Sequence, residues 1–290
     1  MELRRYLKEQ NFDVLIDFRF RTKLLQEVLI SRFLYNCPTI YTVHSSDLTT
    51  YMPKSKIGAS AIYKHIFRTV AVSNGIKEKL IQQYGFKNIV RIYNPIDIEK
   101  VKMDGENTPS INYPYIVAVG QFDTGVKQFD VLIEAYSKSK LPENKVHLVI
   151  LGEGHLLEQL VAISQELGVG ELVHFLGHKV IPYPYLRKAK FLVLTSAYEG
   201  LPMVLIESLV CSTPVVAFDC ESGPREVIIH EQNGLLVKNQ DQEDLVQSMN
   251  RLFEDEKLYS YCKHHAITSI EKFEIDKIGR QWLNLIEEIP

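Results

Sequence analysis

"FLVLTSAYEGLPMVLIESLVCSTPVVAF", residues 191–218, decides the fold. FLVLTS (191–196) is a short apolar run that ends in turn residues. A helix-length segment opens at Pro202, and a second apolar run, TPVVAF (213–218), follows. Continuously apolar strands on either side of a helix imply a sheet covered on both faces, the parallel strand–helix–strand unit. Within this stretch Glu199 and Glu207 stand eight residues apart with only apolar residues, Gly200 and Ser-free sequence between them. Two readings compete: carboxylates crowding a helix start, or a pair reaching into a binding crevice.

The alternation continues in both directions. YIVAVGQF (115–122), VHLVILG (146–152), ELVHFLG (171–177) and GLLV (234–237) read as strands, and 127–140 and 155–168 as helices. A Tyr/Pro-rich segment follows residue 177, a short helix is expected near Pro224, and helices at 241–254, 257–269 and 274–288 close the chain. This half is a complete doubly wound domain, which binds ligands at the carboxyl ends of its strands. Upstream, 12–18, 38–44, 69–73 and 89–95 are strand-like, while 22–34 and 74–85 have helical spacing. The polar stretch KMDGENTPSINYP (102–114) reads as a linker. The expected domains are 1–108, 109–273 and a C-terminal helix, 274–290, that holds the single Trp and crosses back to the first half.

Composition is that of an ordinary globular protein, 46% hydrophobic and 24% charged. No apolar run reaches the length of a membrane span, and the start lacks an apolar signal core. The four cysteines have no paired spacing and imply a reducing compartment without disulfides or a zinc site. The net charge of −3 conceals an asymmetry: residues 1–103 hold 17 Lys+Arg against 9 Asp+Glu, residues 104–290 hold 16 against 27. A basic half points to an anionic membrane surface or a polyanionic acceptor. Nothing points to nucleic acid.

Pro202 suits the first position of a helix, leaving the N–H groups of Gly200, Leu201 and Met203 to meet phosphate. Gly200 lets a ligand approach the backbone. Carboxylates repel phosphate and suit hydroxyl groups, so Glu199 and Glu207 fit a sugar and a ribose. If the whole stretch is helical, eight residues span about 800°, placing Glu207 two turns below Glu199. Gly152 and Gly154 follow a strand, but the third glycine of a dinucleotide loop is missing at Leu157. No Asp-x-Asp stands where a diphosphate metal is held, and His174 and His178 alone make no metal site.

The segment SAYEGLPMVLIESLVCSTPVVAFDCESGPREVI…NGLLV resembles the signature of family-4 retaining glycosyltransferases of GT-B fold. VAVGQFDTGVKQFDVLIEAY, LVILGEG, YTVHSSD, VAVSNGIKEKL and YNPID extend the resemblance over nearly the whole chain. It implies an α/β fold of two Rossmann-like domains facing across a cleft, with a nucleotide sugar on the second. It further implies that Glu199 contacts the donor sugar, Glu207 the ribose, Lys127 the diphosphate, Gly152 and Gly154 the nucleotide, and that His44 lies beside the sugar. One position departs: the family's arginine is Gln121 here, which brings no charge. Arg225, Lys188 and His178 are candidates to replace it, and Asp47 is a weaker neighbour of His44. The family also carries elements ahead of the FDVLIDF strand, so the first domain is expected to be incomplete: a gene fragment, one half of a split enzyme completed by a partner, or a form that dimerises through the gap.

The expected function is metal-independent, retaining transfer of a sugar to a glycan or lipid-linked glycan in surface-polysaccharide assembly, without a cofactor. The expected location is the cytoplasm, with the basic half against the membrane's inner face. A catalytically silent nucleotide-sugar-binding protein and a GT-B sugar-nucleotide epimerase are the alternatives. The epimerase requires further acid/base carboxylates in the first half.

Overall fold

A computed structural model of the chain describes residues 2–107 and 109–289. Thr108, the last residue of the expected first domain, lies outside them, as do Met1 and Pro290. The chain forms two compact units. The first holds residues up to Pro95, Glu199–Leu201 and residues from Asp276 on; the second holds Ile96–Tyr198 and Pro202–Ile275.

The first unit runs α1 (Glu2–Gln10), β1 (Leu15–Asp17), α2 (Leu24–Leu29), β2 (Thr39–Val43), α3 (Lys56–Tyr63), β3 (Arg68–Ala71), α4 (Asn74–Tyr84) and β4 (Ile89–Arg91). Its four strands are parallel in the order β1-β2-β3-β4. All of β2 is buried, as the uninterrupted TIYTV run requires. Ser73 caps α4 by accepting from Ile76 N–H, and Gly85 ends it at φ 72°.

Helix α2 continues through one π-helical turn, Ile30–Leu34, closed by Tyr35 N–H donating to Ile30 O at 3.1 Å. This helix turns its carboxylate inward. The Glu27 side chain is 3% exposed and meets Arg19 at 3.0 Å, while Arg19 also holds Asp17 at 2.8 Å. Arg21 is wholly buried beside them, donating to Thr42 O (2.6 Å), Arg19 O (2.9 Å) and Tyr63 Oη (3.0 Å). Its guanidinium lies 4.4 Å from the Tyr41 ring centre.

The second unit runs α5 (Ile98–Asp104), β5 (Tyr115–Val119), α6 (Phe129–Lys138), β6 (His147–Leu151), α7 (Leu157–Glu166), β7 (Val173–Phe175), α8 (Tyr183–Lys188), β8 (Leu192–Leu194), α9 (Met203–Val210), β9 (Val215–Phe218), α10 (Pro224–Val227), β10 (Gly234–Val237), α11 (Gln242–Glu254) and α12 (Glu256–His265). Six parallel strands lie in the order β10-β9-β8-β5-β6-β7. Leu132, Ile133, Tyr136, Leu148, Phe191 and Phe218 anchor one contiguous core. The last helix, α13 (Ile275–Glu287), packs mostly with the first unit: Trp282 lies 6.5 Å from the Phe18 ring, and Glu288 beyond it pairs with Arg68 at 3.1 Å.

Several elements differ from the sequence reading. Most strands are shorter at their ends, above all β1 against 12–18, β4 against 89–95 and β7 against 171–177. Helices α1, α3 and α5 arise where no helix is expected. Asp97 explains α5, accepting from Lys100 N–H at 2.9 Å and starting a helix that runs into the linker-like stretch. Pro182 at the head of α8 converts the Tyr/Pro-rich segment into a helix start.

Candidate functional site

The second unit's chain leaves β5 toward β6 and β7, then returns to the other side of β5 for β8, β9 and β10. The switch between β5 and β8 is where a doubly wound sheet opens a crevice at its carboxyl edge. Gln121 and Lys127 follow β5, Gly152 and Gly154 follow β6, and Pro202, Met203 and Glu207 follow β8.

The loops after β5 and β6 interlock through their backbones. Gly120 N–H donates to Leu151 O at 3.0 Å, and Phe122 N–H to Glu153 O at 2.9 Å. Gly152 and Gly154 have φ 152° and 153°. A Cβ on Gly152 would strike Gly120 O, and one on Gly154 would lie 2.8 Å from Asp123 N. The Lys127 stem covers Gly120, with Cγ 3.1 Å from where a Cβ on that glycine would stand. Thr195 at the end of β8 fixes the lysine's turn, its Oγ1 donating to Lys127 O (2.9 Å) and Gln128 O (3.0 Å). Gln121 is exposed.

Helix α9 begins at Met203, so Pro202 stands one residue ahead of the first helical position, as an N-cap with no side-chain hydrogen bond. The opening N–H groups of a helix have no partner within it, and here no side chain caps them. No acidic residue lies in the first turn, which removes the reading of Glu199 as a carboxylate inside that turn. Because residues 199–202 are not helical, Glu207 sits one turn into the helix rather than two turns below Glu199. Its carboxylate is largely shielded from solvent and forms no hydrogen bond or ion pair among the described residues. Burial pushes its pKa up from the ordinary carboxylate value.

The first unit holds His44 and Glu199 side by side. Ser46 N–H donates to Glu199 O at 3.2 Å. A Cβ on Gly200 would strike His44 O, so the approaching backbone by itself demands a glycine here. Leu201 is buried. His44 follows β2, and its Nε2 is buried with no hydrogen-bond partner among the described residues. Burial, and then the Arg21 charge, lower its pKa, so the imidazole is neutral at pH 7. Asp47 caps its own turn, accepting from Thr49 N–H (3.1 Å) and Oγ1 (2.6 Å).

Of the candidates to replace the charge missing at Gln121, Arg225 is bound twice by Asp219, at 2.9 and 2.6 Å. Lys188 and His178 are exposed. His174 pairs with His147 at 2.8 Å and stacks with Tyr113. Among the described residues, no group of three or more His, Cys, Asp or Glu is placed to hold a metal ion. Two residues escaped the sequence reading. Arg21 sets the charge felt by His44; its signal is the alternation Phe18-Arg19-Phe20-Arg21. Ser196, just past β8, has a buried Oγ without a partner among the described residues.

A family model described as glycosyl transferases group 1 matches residues 99–268, more than half of the chain. The chain belongs to that family. A second model, glycosyltransferase family 4, matches residues 1–100 of this group 1 glycosyltransferase family member. A Campylobacter jejuni relative named N-acetylgalactosamine-N,N'-diacetylbacillosaminyl-diphospho-undecaprenol 4-alpha-N-acetylgalactosaminyltransferase is 35% identical over 80% of this chain and 63% of its own length. The lipopolysaccharide 1,6-galactosyltransferase of Salmonella typhimurium is 31% identical over 70% of the chain and 56% of its own. The chain thus spans less than two-thirds of either relative. Anabaena HepE in complex with UDP-glucose shares the fold, with a TM-score of 0.83 at 18% identity over 99% of this chain and 81% of HepE. The architecture of this group 1 family member is accordingly GT-B-like, with two Rossmann-like parallel-sheet units. Among the described residues no helix is long and apolar enough to cross a membrane.

Proposed function

We propose that the chain transfers a sugar from a nucleoside diphosphate to a hydroxyl of a glycan or lipid-linked glycan, with retention at the anomeric carbon. The observation that carries this reading is Glu207: a shielded carboxylate without a partner among the described residues, one turn below an uncapped helix start at the sheet's switch point. Such a group is matched by paired ribose hydroxyls, which donate to it and offset its burial. The diphosphate then falls to Lys127, Gln121, the N–H groups at the start of α9 and the loop around Gly152 and Gly154. Glu199 and His44 orient the donor sugar, with neutral His44 free to accept or donate.

In the proposed reaction the bond from the anomeric carbon to the diphosphate oxygen breaks and the bond to the acceptor oxygen forms on the same face. The acceptor's proton passes to the departing diphosphate. The protein positions the reactants and stabilises the developing negative charge, for which Lys127 and the helix start suffice without a metal ion. The relatives' names support a lipid-linked or lipopolysaccharide acceptor. We place the work in the cytoplasm.

Calorimetric titration with a panel of nucleotide sugars tests this. One donor should bind, and Glu207→Ala should abolish it. Unchanged affinity in the variant, or a folded chain that binds no member of the panel, overturns the reading. A second reading rests on Gln121, which brings no charge to the diphosphate: a nucleotide-sugar-binding protein without turnover. Donor binding with neither transfer nor donor hydrolysis would select it.

A further inference from the structure

The interlocked loops after β5 and β6 carry one more pairing at their rim. His155, the residue after Gly154, donates its backbone N–H to Asp123 Oδ1 at 3.3 Å, and its ring Nδ1 stands 3.4 Å from the same oxygen. Asp123 lies two residues beyond Gln121, the position that brings no charge. A carboxylate beside Nδ1 favours a proton on that nitrogen. Nε2, which has no partner among the described residues, is then a bare lone pair in the neutral ring. Such an acceptor repels a phosphate oxygen, whereas a second proton, on Nε2, makes it a charge-assisted donor. The other charges of this rim are mixed. Glu153 on the β6 loop and Glu158 in the first turn of α7 are exposed, Lys127 follows Asp123, and His178 and Lys179 follow Gly177, whose carbonyl accepts from Gly152 N–H. A diphosphate laid across these loops meets Asp123, Glu153 and Glu158 and needs positive charge to offset them.

We propose that His155 takes up a proton from solvent as the donor's diphosphate arrives and holds it through Nε2–H, supplying from the β6 loop the charge that Gln121 lacks. The chain then binds its donor and one proton together, and donor affinity follows pH. Asp123 is a positioning residue: it orients the ring through Nδ1 and balances the imidazolium once formed. The proposal rests on the donor reading above and deepens it. Proton uptake on binding makes affinity rise as pH falls. Glu207 gives the opposite sign, since protonating a carboxylate that accepts ribose hydroxyls weakens binding as pH falls. His44 and His178 also titrate, so variants of His155 decide which imidazole carries the slope.

Calorimetric titration at about pH 6 and about pH 8 tests it. The probe is the tightest binder of a panel of UDP-hexoses and UDP-N-acetylhexosamines, in buffers of different ionisation enthalpy that count the protons taken up. Affinity should be about 10-fold higher at the lower pH, with up to about one proton gained per donor bound. His155→Gln should flatten the profile at the parent's weaker affinity, and His155→Lys should flatten it at the tighter one. Asp123→Asn should move the profile to lower pH. His155 is exposed, so its variants should melt with the parent. A parent whose affinity ignores pH or rises with it, or a His155→Gln variant that keeps the parent's slope, overturns the proposal and leaves the donor reading standing. An Asp123→Asn profile identical to the parent's overturns the part given to Asp123. A folded chain that binds no member of the panel at either pH overturns both this proposal and the donor reading.

Discussion

Helices α2 and α9 each remove a carboxylate from solvent, and they treat it in opposite ways. On α2, Glu27 is sealed against Arg19 at 3.0 Å, and the arginine is in turn held by Asp17 and Tyr35. On α9, Glu207 lies among mostly apolar residues, the adjacent Ser208 donating instead to Thr213 O, with Tyr183 of α8 nearby, and burial raises its pKa without an offsetting cation. A satisfied carboxylate stabilises a fold, whereas an unsatisfied one destabilises it until a ligand arrives. On the proposed function, the contrast separates an acid satisfied within the fold from one that a ligand would satisfy, though both sit in helices of similar length.

Five variants strain this contrast. The largest effect should come from Glu207→Ala, which removes the acceptor for two ribose hydroxyls and should weaken donor binding by about 100-fold or more, read by calorimetry. Next, Lys127→Ala should cost about 10- to 100-fold in affinity, and Gln121→Arg should tighten binding about 10-fold by adding a charge-assisted bond to the diphosphate. Equal and negligible effects of both would move the diphosphate elsewhere.

Glu27→Gln should leave donor affinity intact but lower stability by about 1–2 kcal/mol, since Arg19 is partly exposed and keeps Asp17. Loss of binding without loss of stability would reverse the roles assigned to the two acids. The smallest effect concerns Glu207→Gln in the absence of donor. A raised folded pKa contributes stability below the unfolded value of 4.5, lost as pH rises through the folded pKa. The variant should therefore melt with the parent at or below pH 4.5 and a few degrees above it at neutral pH. A variant less stable at neutral pH would mean that Glu207 has a partner.

Much of the second unit is legible in sequence because its strands, β7 apart, are mostly buried and read as apolar runs between periodic helices. The four residues of β10 fall where GLLV places them. The first unit is harder. Its α2 has apolar spacing, but the periodicity does not say which side faces inward, and the Glu27–Arg19 pair that decides this lies eight residues apart across a turn. The candidate residues in Gly-rich loops were chosen by residue type and order. Their geometry was not: the demand for Gly200 comes from His44 O, a partner more than 150 residues away in the sequence. Arg21 escaped in part for the same reason, since the Thr42 carbonyl and the Tyr63 hydroxyl that help to bury it lie 21 and 42 residues away in the sequence.

The interlocked loops after β5 and β6 carry a consequence for how this protein diversifies. Gly152 and Gly154 each press on the neighbouring loop where a single methyl group would collide. Mutation cannot gradually reshape that floor, because almost any replacement displaces both loops together. New donor preference has to be written at the rim instead, in side chains such as Gln121 and His155 that stand in solvent beside it. On the proposed function, descendants of this chain share the floor built by these glycines and differ in what they set around it, and a library confined to the rim should yield folded variants far more often than one that includes the glycines.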